Sequence, residues 1–258
     1  AVDFRENGWD IKRLIKQIVT SATYTQSSVV QSKKTDIDPE NIYLARMQRT
    51  RLNAEMIRDH VLESSGLLNK EIGGPSVKPY QPNNLWKLAG TGRGILTNYI
   101  QDHGDKLYRR GIYTFIKRTV LPPVQTTFDA AARDQCEVKR QSTSTPLQAL
   151  IMLNGPTTLE SARVLSEKLN KEELSVEQKI AKAFQLILCR KMKPEEKNIL
   201  TTYYNEQKEA FNTKPDNAKA FIDVGEYPIS ENRDNVEVAS LMQIIHTLYN
   251  MEETIMKG

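Results

Sequence analysis

Residues 108–156 read YRRGIYTFIKRTVLPPVQTTFDAAARDQCEVKRQSTSTPLQALIMLNGP and carry the strongest signals in the chain. The stretch combines two basic pairs, a Pro-Pro break, an acidic loop and a capped helix start. From Lys106 to Arg140 the sequence has eight Lys or Arg against three acids, a net charge of +5. The whole chain carries only +4, so the basic excess is local. A binding partner is therefore expected near this stretch, and the charge permits an anionic one without requiring it.

A helix start lies near the end of the stretch. Thr145 has the side chain of an N-cap, Pro146 suits the first helical position, and Gln148 completes a T-x-x-Q capping box. The helix is predicted to end before Gly155, and another is predicted to begin at Pro156. These local signals predict two consecutive helices.

Two amphipathic helices are predicted upstream. Asp10 is a good N-cap for the first. Its apolar side chains recur at helical spacing on one face: Ile11, Leu14, Ile15, Ile18, Val19 and Ala22. Pro39 fits the first turn of a second helix that runs to about Ser65, after a polar loop at residues 27–38. One side of the second helix carries a charged row, typical of a solvated face or a packing clamp: Arg51, Glu55, Arg58 and Asp59.

A Gly- and Pro-rich connection separates these helices from the basic stretch. Residues 73–94 contain three prolines and five glycines, which excludes a regular helix or a central strand. Gly90, Gly92 and Gly94 do not indicate a phosphate-binding loop, because no hydrophobic strand precedes them and no Gly-Lys-Ser/Thr follows. Residues 108–116 fit a short helix, and the alternation of their apolar side chains leaves a strand open.

The C-terminal part of the chain is predicted to be helical. Ser175 and Gln178 form a second capping box, and Pro194, followed by two Glu, opens another helix. Residues 212–235 are polar and are interpreted as a linker or long loop. A final amphipathic helix is expected to bury one side: Val238, Leu241, Ile245 and Leu248.

Together these patterns predict an all-α multi-helix bundle with a long irregular Gly/Pro-rich connection. Residues 1–258 are expected to form a single all-α domain, the C-terminal part of a larger protein, with a candidate sub-boundary near residues 156–175. The content of 39% hydrophobic and 26% charged residues is that of a soluble globular protein. No apolar run approaches the length of a membrane span, so none is predicted.

Cysteine and histidine placement argues against metal and cofactor sites. Cys136 and Cys189 are too few for a disulfide scaffold or a zinc cage, and we expect two free, buried thiols. His60, His103 and His246 are far apart in sequence and match no metal-ligand spacing. Neither cysteine lies in a C-x-x-C-H haem motif, so no cofactor is expected in this segment.

The basic stretch supplies the candidate site, interpreted as a ligand-binding or a structural ion-pair cluster. Its members are Arg109, Arg110, Lys117, Arg118, Asp129, Arg133, Asp134, Cys136 and Arg140. The structural interpretation is preferred, with Asp129 and Asp134 as the first partners of the basic side chains. It predicts four mostly buried arginines, each bonded to a carboxylate or a backbone carbonyl: Arg109, Arg110, Arg118 and Arg140.

Two other interpretations of the cluster remain open. The arginines can hold a sulfated, phosphorylated or carboxylated ligand. Asp129 and Asp134 can instead serve as the acid/base pair of a hydrolase, although no catalytic motif identifies such residues. Nucleic acid is disfavoured as a partner, because the net charge is modest and no known binding motif is present.

Several segments occur in the order found in a known family. They include GWDIKRLIKQIVTSATYTQSS, RTRLNAEMIRDHVLESSG, GGPSVKPYQPNNLW and EVASLMQIIHTLYNMEET, and the most specific piece is RQSTSTPLQALIMLN at residues 140–154. In these segments the chain resembles the planctomycete-type, cytochrome-associated domain of unknown function, the PSD-type domain that lies C-terminal to PSCyt-type domains. The resemblance spans nearly the entire chain. Gly111 and Ala131 depart from it, since serine and proline are usual at these places.

The resemblance implies a secreted or periplasmic multidomain protein, often with a c-type haem module elsewhere in the same polypeptide. It implies no established activity. We therefore expect a non-catalytic C-terminal module that braces the upstream domains of the same polypeptide, with an anionic polysaccharide as a candidate ligand. The alternatives are a hydrolase that uses Asp129 and Asp134 in a basic cleft, and a docking module for a c-type cytochrome.

Overall fold

A computed structural model describes residues 1–30, 32–90, 94–231 and 233–257. Residues 91–93 of the Gly/Pro-rich connection lie outside the described residues, as do Gln31 and Asn232 in two other segments predicted to be irregular. The chain divides into two compact units, Ala1–Leu52 with Met256–Gly258, and Asn53–Ile255. The candidate sub-boundary at 156–175 falls inside the second unit.

The first unit contains short helices and one pair of strands: α1 Val2–Glu6, α2 Ile11–Val19, α3 Ser32–Ile37, β1 Thr50–Arg51 and β2 Met256–Lys257. The strands pair antiparallel, with Thr50 opposite Lys257. Helix α2 begins where the sequence predicts, because the Asp10 carboxylate accepts a hydrogen bond from the backbone N–H of Arg13 at 3.0 Å. The loop predicted at residues 27–38 is partly wrong, since it contains α3.

The apolar face of α2 is open to solvent. Ile11, Ile15 and Ile18 are each half or more exposed, and no residue of α2 is buried. A helix with well-separated apolar and polar faces normally buries the apolar one against a neighbour. The predicted amphipathic helix is confirmed, and its apolar face is a surface that has no cover among the described residues.

The helix predicted from residue 39 to residue 65 begins only at Ala54, so its first part is wrong. The cause lies at Asp38, whose carboxylate accepts hydrogen bonds from the backbone N–H groups of Ile42 at 2.8 Å and Tyr43 at 2.9 Å. Such local side-chain bonds compete with helical hydrogen bonding and favour turns. The hydrogen bonds of Asp38 therefore prevent the helix start that Pro39 predicts.

The second unit is helical. In the described residues its α-helices are α4 Ala54–Ser65, α5 Leu85–Leu88, α6 Pro123–Thr127, α7 Pro146–Asn154, α8 Pro156–Asn170, α9 Val176–Leu188, α10 Pro194–Thr213, α11 Pro215–Ile222, α12 Asn235–Tyr249 and α13 Glu252–Ile255. Three 3₁₀ turns lie at Gly94–Leu96, Gly104–Tyr108 and Gly111–Tyr113. The predicted all-α class is confirmed. The capping signals are confirmed as well, because α7, α8, α9 and α10 start where they predict.

Helices α8 and α12 form the centre of the second unit. Helix α12 contacts α8, α9, α10 and α11, and α8 also contacts α4 and α7. The hydroxyl of Ser166 on α8 donates to the backbone oxygen of Val238 on α12 at 2.7 Å. The prediction that α12 buries only one side is too narrow. Ala239 and Ser240 do not belong to the predicted apolar side, and both are fully buried. Neighbouring helices cover α12 on several sides.

Residues 212–235 are not simply a linker, because α11 occupies part of them. Ala218 and Ile222 of α11 are fully buried, and α11 contacts α12. The apolar side chains of α11 are few and lie in a polar segment, so they give little periodic signal and the sequence analysis missed this helix. The described residues that follow, 223–231 with 233 and 234, form an irregular loop, named here the loop at 223–234.

The segment after the Gly/Pro-rich connection is neither the predicted short helix nor a strand. It forms 3₁₀ turns and single bridges to the connection. The backbone N–H of Val77 donates to the oxygen of Tyr113 at 2.8 Å, and the N–H of Phe115 donates to the oxygen of Val77 at 2.8 Å. Long-range pairing has therefore replaced regular local structure here.

A half-buried histidine makes the stability of the second unit depend on pH. His60 Nε2 on α4 lies 2.8 Å from the backbone oxygen of Ile187 on α9. Burial lowers the pKa of His60, and the bond to Ile187 offsets this only in part. The folded state thus binds a proton less tightly than the unfolded state, in which a histidine has a pKa of about 6.5.

We expect the free energy of unfolding to decrease as the pH falls below about 6.5, because His60 then binds a proton on unfolding. Urea melts at several values between about pH 8 and about pH 5 measure this dependence. In His60→Gln, which keeps a hydrogen-bond donor, the slope in this range should be smaller. Identical slopes for both proteins would contradict the assignment.

Candidate functional site

Arg109 is enclosed by the Gly/Pro-rich connection. Its guanidinium donates to the backbone oxygens of Pro75 at 3.0 Å, Glu71 at 3.3 Å and Gly73, and it lies 3.9 Å from the ring centre of Tyr113. The residue is buried. Carbonyl oxygens, not carboxylates, take its hydrogen bonds, so Arg109 shapes the connection and does not present its charge to solvent.

Lys117 is also turned inward. Its Nζ donates to the backbone oxygen of Leu96 at 2.9 Å and lies 4.7 Å from the ring centre of Trp86 on α5. Both Lys117 and Trp86 are buried. A cation over an indole face is attracted by the ring quadrupole, which offsets part of the cost of burying the charge.

Arg140 forms an ion pair with α4. Its Nη1 and Nη2 lie 2.8 Å and 3.0 Å from the two carboxylate oxygens of Glu55, which is 85 residues away in sequence. Desolvation raises the pKa of Glu55, but the hydrogen bonds from Arg140, a backbone hydrogen bond and the charges of Arg140 and Arg133 together outweigh it, so the pKa lies below its ordinary value. The prediction that Asp129 and Asp134 are the first partners is therefore wrong for Arg140.

The charged row of α4 is a packing clamp on the basic segment. Arg58 donates to the backbone oxygen of Leu107, and Asp59 accepts from the N–H of Gly111 at 2.6 Å. A Cβ at Gly111 would lie 2.8 Å from the Cα of Glu55, so α4 and the segment are in backbone contact. This close approach leaves no room for a side chain at position 111 unless α4 or the segment shifts.

The other basic residues of the cluster lie on the surface. Arg110, Arg118 and Arg133 are exposed, and so is Asp134. The prediction that Arg110 and Arg118 are buried is therefore wrong. Arg109 and Arg110 have backbone angles near polyproline II, with ψ of 155° and 147°, and successive side chains in such backbone point in different directions. Burial of Arg109 thus directs Arg110 outward.

Asp129 links the two ends of the loop between α6 and α7, and no described arginine binds it. Its two carboxylate oxygens accept from the backbone N–H of Thr143 at 2.7 Å and from the Thr143 hydroxyl at 2.9 Å and 3.0 Å. Its backbone is left-handed, with φ of 58°, which aspartate tolerates better than most residues. The arrangement is that of a loop-closing residue and does not pair Asp129 with Asp134.

Both cysteines are exposed free thiols, so the prediction of buried thiols is wrong. Cys136 lies in the exposed loop before α7, and Cys189 is the left-handed residue that ends α9. We expect both to react with a maleimide in the native protein at nearly the rate seen after denaturation, because access no longer limits them. Cys136→Ser and Cys189→Ser variants assign the two signals. Protection of either thiol in the native state would contradict this expectation.

Two charged side chains of α8, missed in the sequence analysis, hold the loop at residues 223–234. Arg163 is fully buried and donates to the backbone oxygens of Val224 at 3.1 Å and Tyr227 at 2.7 Å. It also forms an ion pair with Glu167 at 2.9 Å. The signal that could have found it is an Arg-to-Glu spacing of four residues on a helix whose other faces are apolar.

Glu160 on α8 anchors the same loop through a third buried charge. Its Oε1 accepts from the hydroxyl of Tyr108 at 2.9 Å and from the backbone N–H of Tyr227 at 2.7 Å. Burial and the adjacent carboxylate of Glu160 raise the pKa of Tyr108, so the phenol remains protonated and acts as a donor. Glu160 thus joins the basic segment and the loop through one oxygen.

A pocket of about 90 Å³ lies between α4, α6, α7 and α8 in the second unit. Apolar side chains form most of its wall, among them Ile57, Phe128 and Met152. Arg58 and Gln125 are among its polar residues. None of the exposed members of the predicted cluster lines it.

Two features are absent from the described residues. No three or more His, Cys, Asp or Glu side chains are grouped as metal ligands. No described helix combines the length and the apolar character needed to cross a membrane.

The comparison with protein families gives one match. Residues 1–204 match the sequence profile of PSD1, described as a protein of unknown function (DUF1553). The chain belongs to the PSD1 family. No curated protein and no solved structure matches it. The PSD1 match contains the basic segment, α4 and α8, whereas α12 and the loop at 223–234 lie beyond it.

Proposed function

We propose that the chain is a non-catalytic module of a secreted or periplasmic multidomain protein and braces the upstream domains of the same polypeptide. The apolar face of α2 carries this proposal. Ile11, Ile15 and Ile18 are half or more exposed on it. Contiguous exposed apolar surface marks a site of protein contact, because leaving it in water costs free energy.

The bonding of the basic segment supports a non-catalytic role. Arg109 and Lys117 bind backbone oxygens, Arg140 binds Glu55, and Asp129 binds Thr143. A general acid or base needs a carboxylate free to reach a substrate. The four charged side chains of this segment that make these contacts instead hold the fold.

In this proposal the module is cytochrome-associated, and a c-type haem belongs to the upstream domains. The full-length gene tests that part directly. We expect an export signal and at least one C-x-x-C-H motif upstream of the segment that encodes Ala1. A gene with neither feature would contradict the cytochrome association and the proposed compartment.

Binding in trans tests the bracing role. The chain and the upstream domains are produced separately and titrated by calorimetry. The double variant Ile15→Lys/Ile18→Lys should weaken their association at least about tenfold, because it places charge in an apolar contact. Ile72→Lys/Ile199→Lys is the matched control, since both residues are exposed and lie outside α2. Equal effects of the two double variants would exclude the α2 face as the contact.

A second role, recognition of an anionic polysaccharide, is favoured by Arg110 and Arg118. Both are exposed, and neither forms an ion pair among the described residues. Arg110→Ala/Arg118→Ala should elute from a sulfated-polysaccharide column at lower salt than the parent. The control Lys171→Ala/Lys219→Ala removes two exposed charges outside the basic segment. Co-elution of the two double variants would count against this role.

A further inference from the structure

The pocket between α4, α6, α7 and α8 has an exposed rim. Pro82, Val124 and Pro156 line it and are exposed, whereas Ile57 and Met152 in its wall are buried. Its volume is about 90 Å³. An engineered apolar cavity of about 150 Å³ takes up benzene, so by proportion this pocket holds roughly three to four carbon atoms. That is the size of one short aliphatic side chain.

Arg58 gives the wall of this pocket a positive charge. No other described residue that lines the pocket carries a formal charge. Its side chain is half-buried and donates to the backbone oxygens of Leu107 and Arg109, and no described carboxylate forms an ion pair with it. The pocket therefore suits an aliphatic side chain that has an acidic group beside it.

The apolar surface of the pocket continues onto the outer face of α7. This helix, PLQALIMLN, contains no charged residue. Leu147 and Leu150 are about half exposed. Leu147 lies one helical turn from Ile151, which lines the pocket, so an apolar stripe runs from the pocket to the solvent-exposed face. A helix that is apolar on all sides is normally covered, and this face therefore requires a covering surface.

A side chain of matching size lies on the loop between α6 and α7. Val138 is the most exposed large apolar side chain among the described residues. Its isopropyl group is small enough for the pocket, and Glu137, which precedes it, is exposed as well. The pair thus combines the short apolar group and the carboxylate that the pocket suits.

Both ends of this loop are held next to the pocket. Phe128, the first residue after α6, lines the pocket. Towards the other end, Arg140 pairs with Glu55, which adjoins Ala54 of the pocket wall on α4. Val138 is only two residues from Arg140, so it lies on the same side of the second unit as the pocket. A two-fold axis can therefore bring the loop of each copy to the pocket of the other.

We propose that this surface joins two copies of the chain, with Val138 of each copy inserted into the pocket of the other. Glu137 then pairs with Arg58 of the partner copy, and the two α7 helices cover each other's exposed leucines. A second copy is favoured over an unrelated protein because the chain itself carries, beside the pocket, an apolar group of the right size and an acid of the right sign. The inference does not depend on the bracing role, because it uses residues of the second unit alone.

Sedimentation equilibrium measures the association. Each copy contributes one inserted side chain and a short helix face, so we expect a weak dimer with a dissociation constant on the order of 100 µM. Val138→Ser should weaken it at least about tenfold, because apolar burial is lost at both pockets. The melting temperature of the monomer should not change, since Val138 is fully exposed within one copy. Ile72→Ser is the matched control: Ile72 is also exposed and follows a glutamate, but it lies outside the loop.

Disulfide crosslinking tests which residues meet. Val138→Cys and Val124→Cys are made in separate chains, one of them tagged, and both chains also carry Cys136→Ser/Cys189→Ser. Oxidation of the mixture should join tagged and untagged chains, because insertion of residue 138 brings it close to residue 124 on the rim. Ile72→Cys in place of Val138→Cys should give no crosslink with Val124→Cys.

A dimer that is weakened by Val138→Ser, kept in Ile72→Ser and crosslinked between positions 138 and 124 would support the proposal. A protein that stays monomeric up to about 1 mM would overturn it, since that concentration far exceeds the expected constant. Equal weakening by the two serine variants would overturn the assigned contact. A disulfide within one chain of Val124→Cys/Val138→Cys, without a crosslink between chains, would show that the loop closes over its own pocket and would also overturn the proposal.

Discussion

Gly225→Ala is expected to lower the free energy of unfolding by about 3–5 kcal/mol, measured by urea or thermal melts. Gly225 has a φ of +79°, which an alanine side chain disfavours. A Cβ here would lie 2.5 Å from Glu160 Cγ and still closer to its carboxylate. Glu160 is buried and bonded to Tyr108 and Tyr227, so it cannot move aside without breaking those bonds.

Gly104→Ala separates the backbone strain of a positive φ from the clash with Glu160. Gly104 has a φ of +62° and no atom within 4 Å of an added Cβ, so only backbone strain is introduced. We expect a loss of about 1 kcal/mol there. Losses of equal size at positions 104 and 225 would mean that Glu160 accommodates the methyl group, and the anchoring role of Glu160 would have to be given up.

Arg163→Met should destabilise the second unit by about 3–5 kcal/mol, because methionine fills similar volume but donates no hydrogen bond. The backbone oxygens of Val224 and Tyr227 would lose their donor, and Glu167 would lose its partner on α8. Hydrogen bonds from Arg233 and Arg163 hold the pKa of Glu167 below its ordinary value, against the effect of desolvation. In the variant, Arg233 and the backbone N–H of Ser230 are the hydrogen-bond donors left to this buried carboxylate among the described residues.

The loop itself gives a second measure of Arg163→Met. Chymotrypsin should cleave at Tyr227 in the variant under conditions in which the parent is resistant, because the loop at 223–234 loses two of its anchors. Arg190→Met is the control, since Arg190 pairs with Glu196 and Glu253 near solvent and each such pair should contribute at most about 1 kcal/mol. If the two variants melt alike and the loop stays uncut, the buried charges of α8 do not hold it.

These contacts show how α8 connects distant parts of the second unit. Glu160 binds the basic segment and the loop, while Arg163 and Glu167 bind the loop alone. An apolar helix face could cover the same area, but it would not fix which backbone atoms meet. We therefore expect variants of these charges to change the order of the loop as well as the stability.

The sequence by itself determined the fold class and the starts of five helices: α2, α7, α8, α9 and α10. The N-caps at Asp10 and Ser175 and the prolines that open α7, α8 and α10 act through atoms within three or four residues. Their signals were therefore readable without knowledge of the fold. The helix predicted from residue 39 shows the limit of this reading, because Asp38 forms competing bonds with the same backbone.

Only the tertiary structure decided the partners and the exposure of side chains. The sequence placed Arg140 beside Asp129 and Asp134, but Glu55, 85 residues away, is the carboxylate it meets. Arg109 is satisfied by carbonyl oxygens, which no residue pattern reveals. Capping depends on neighbours along the chain, whereas ion pairing and burial depend on which segments pack together. That packing is a property of the whole fold, so the site could not be assembled from local patterns.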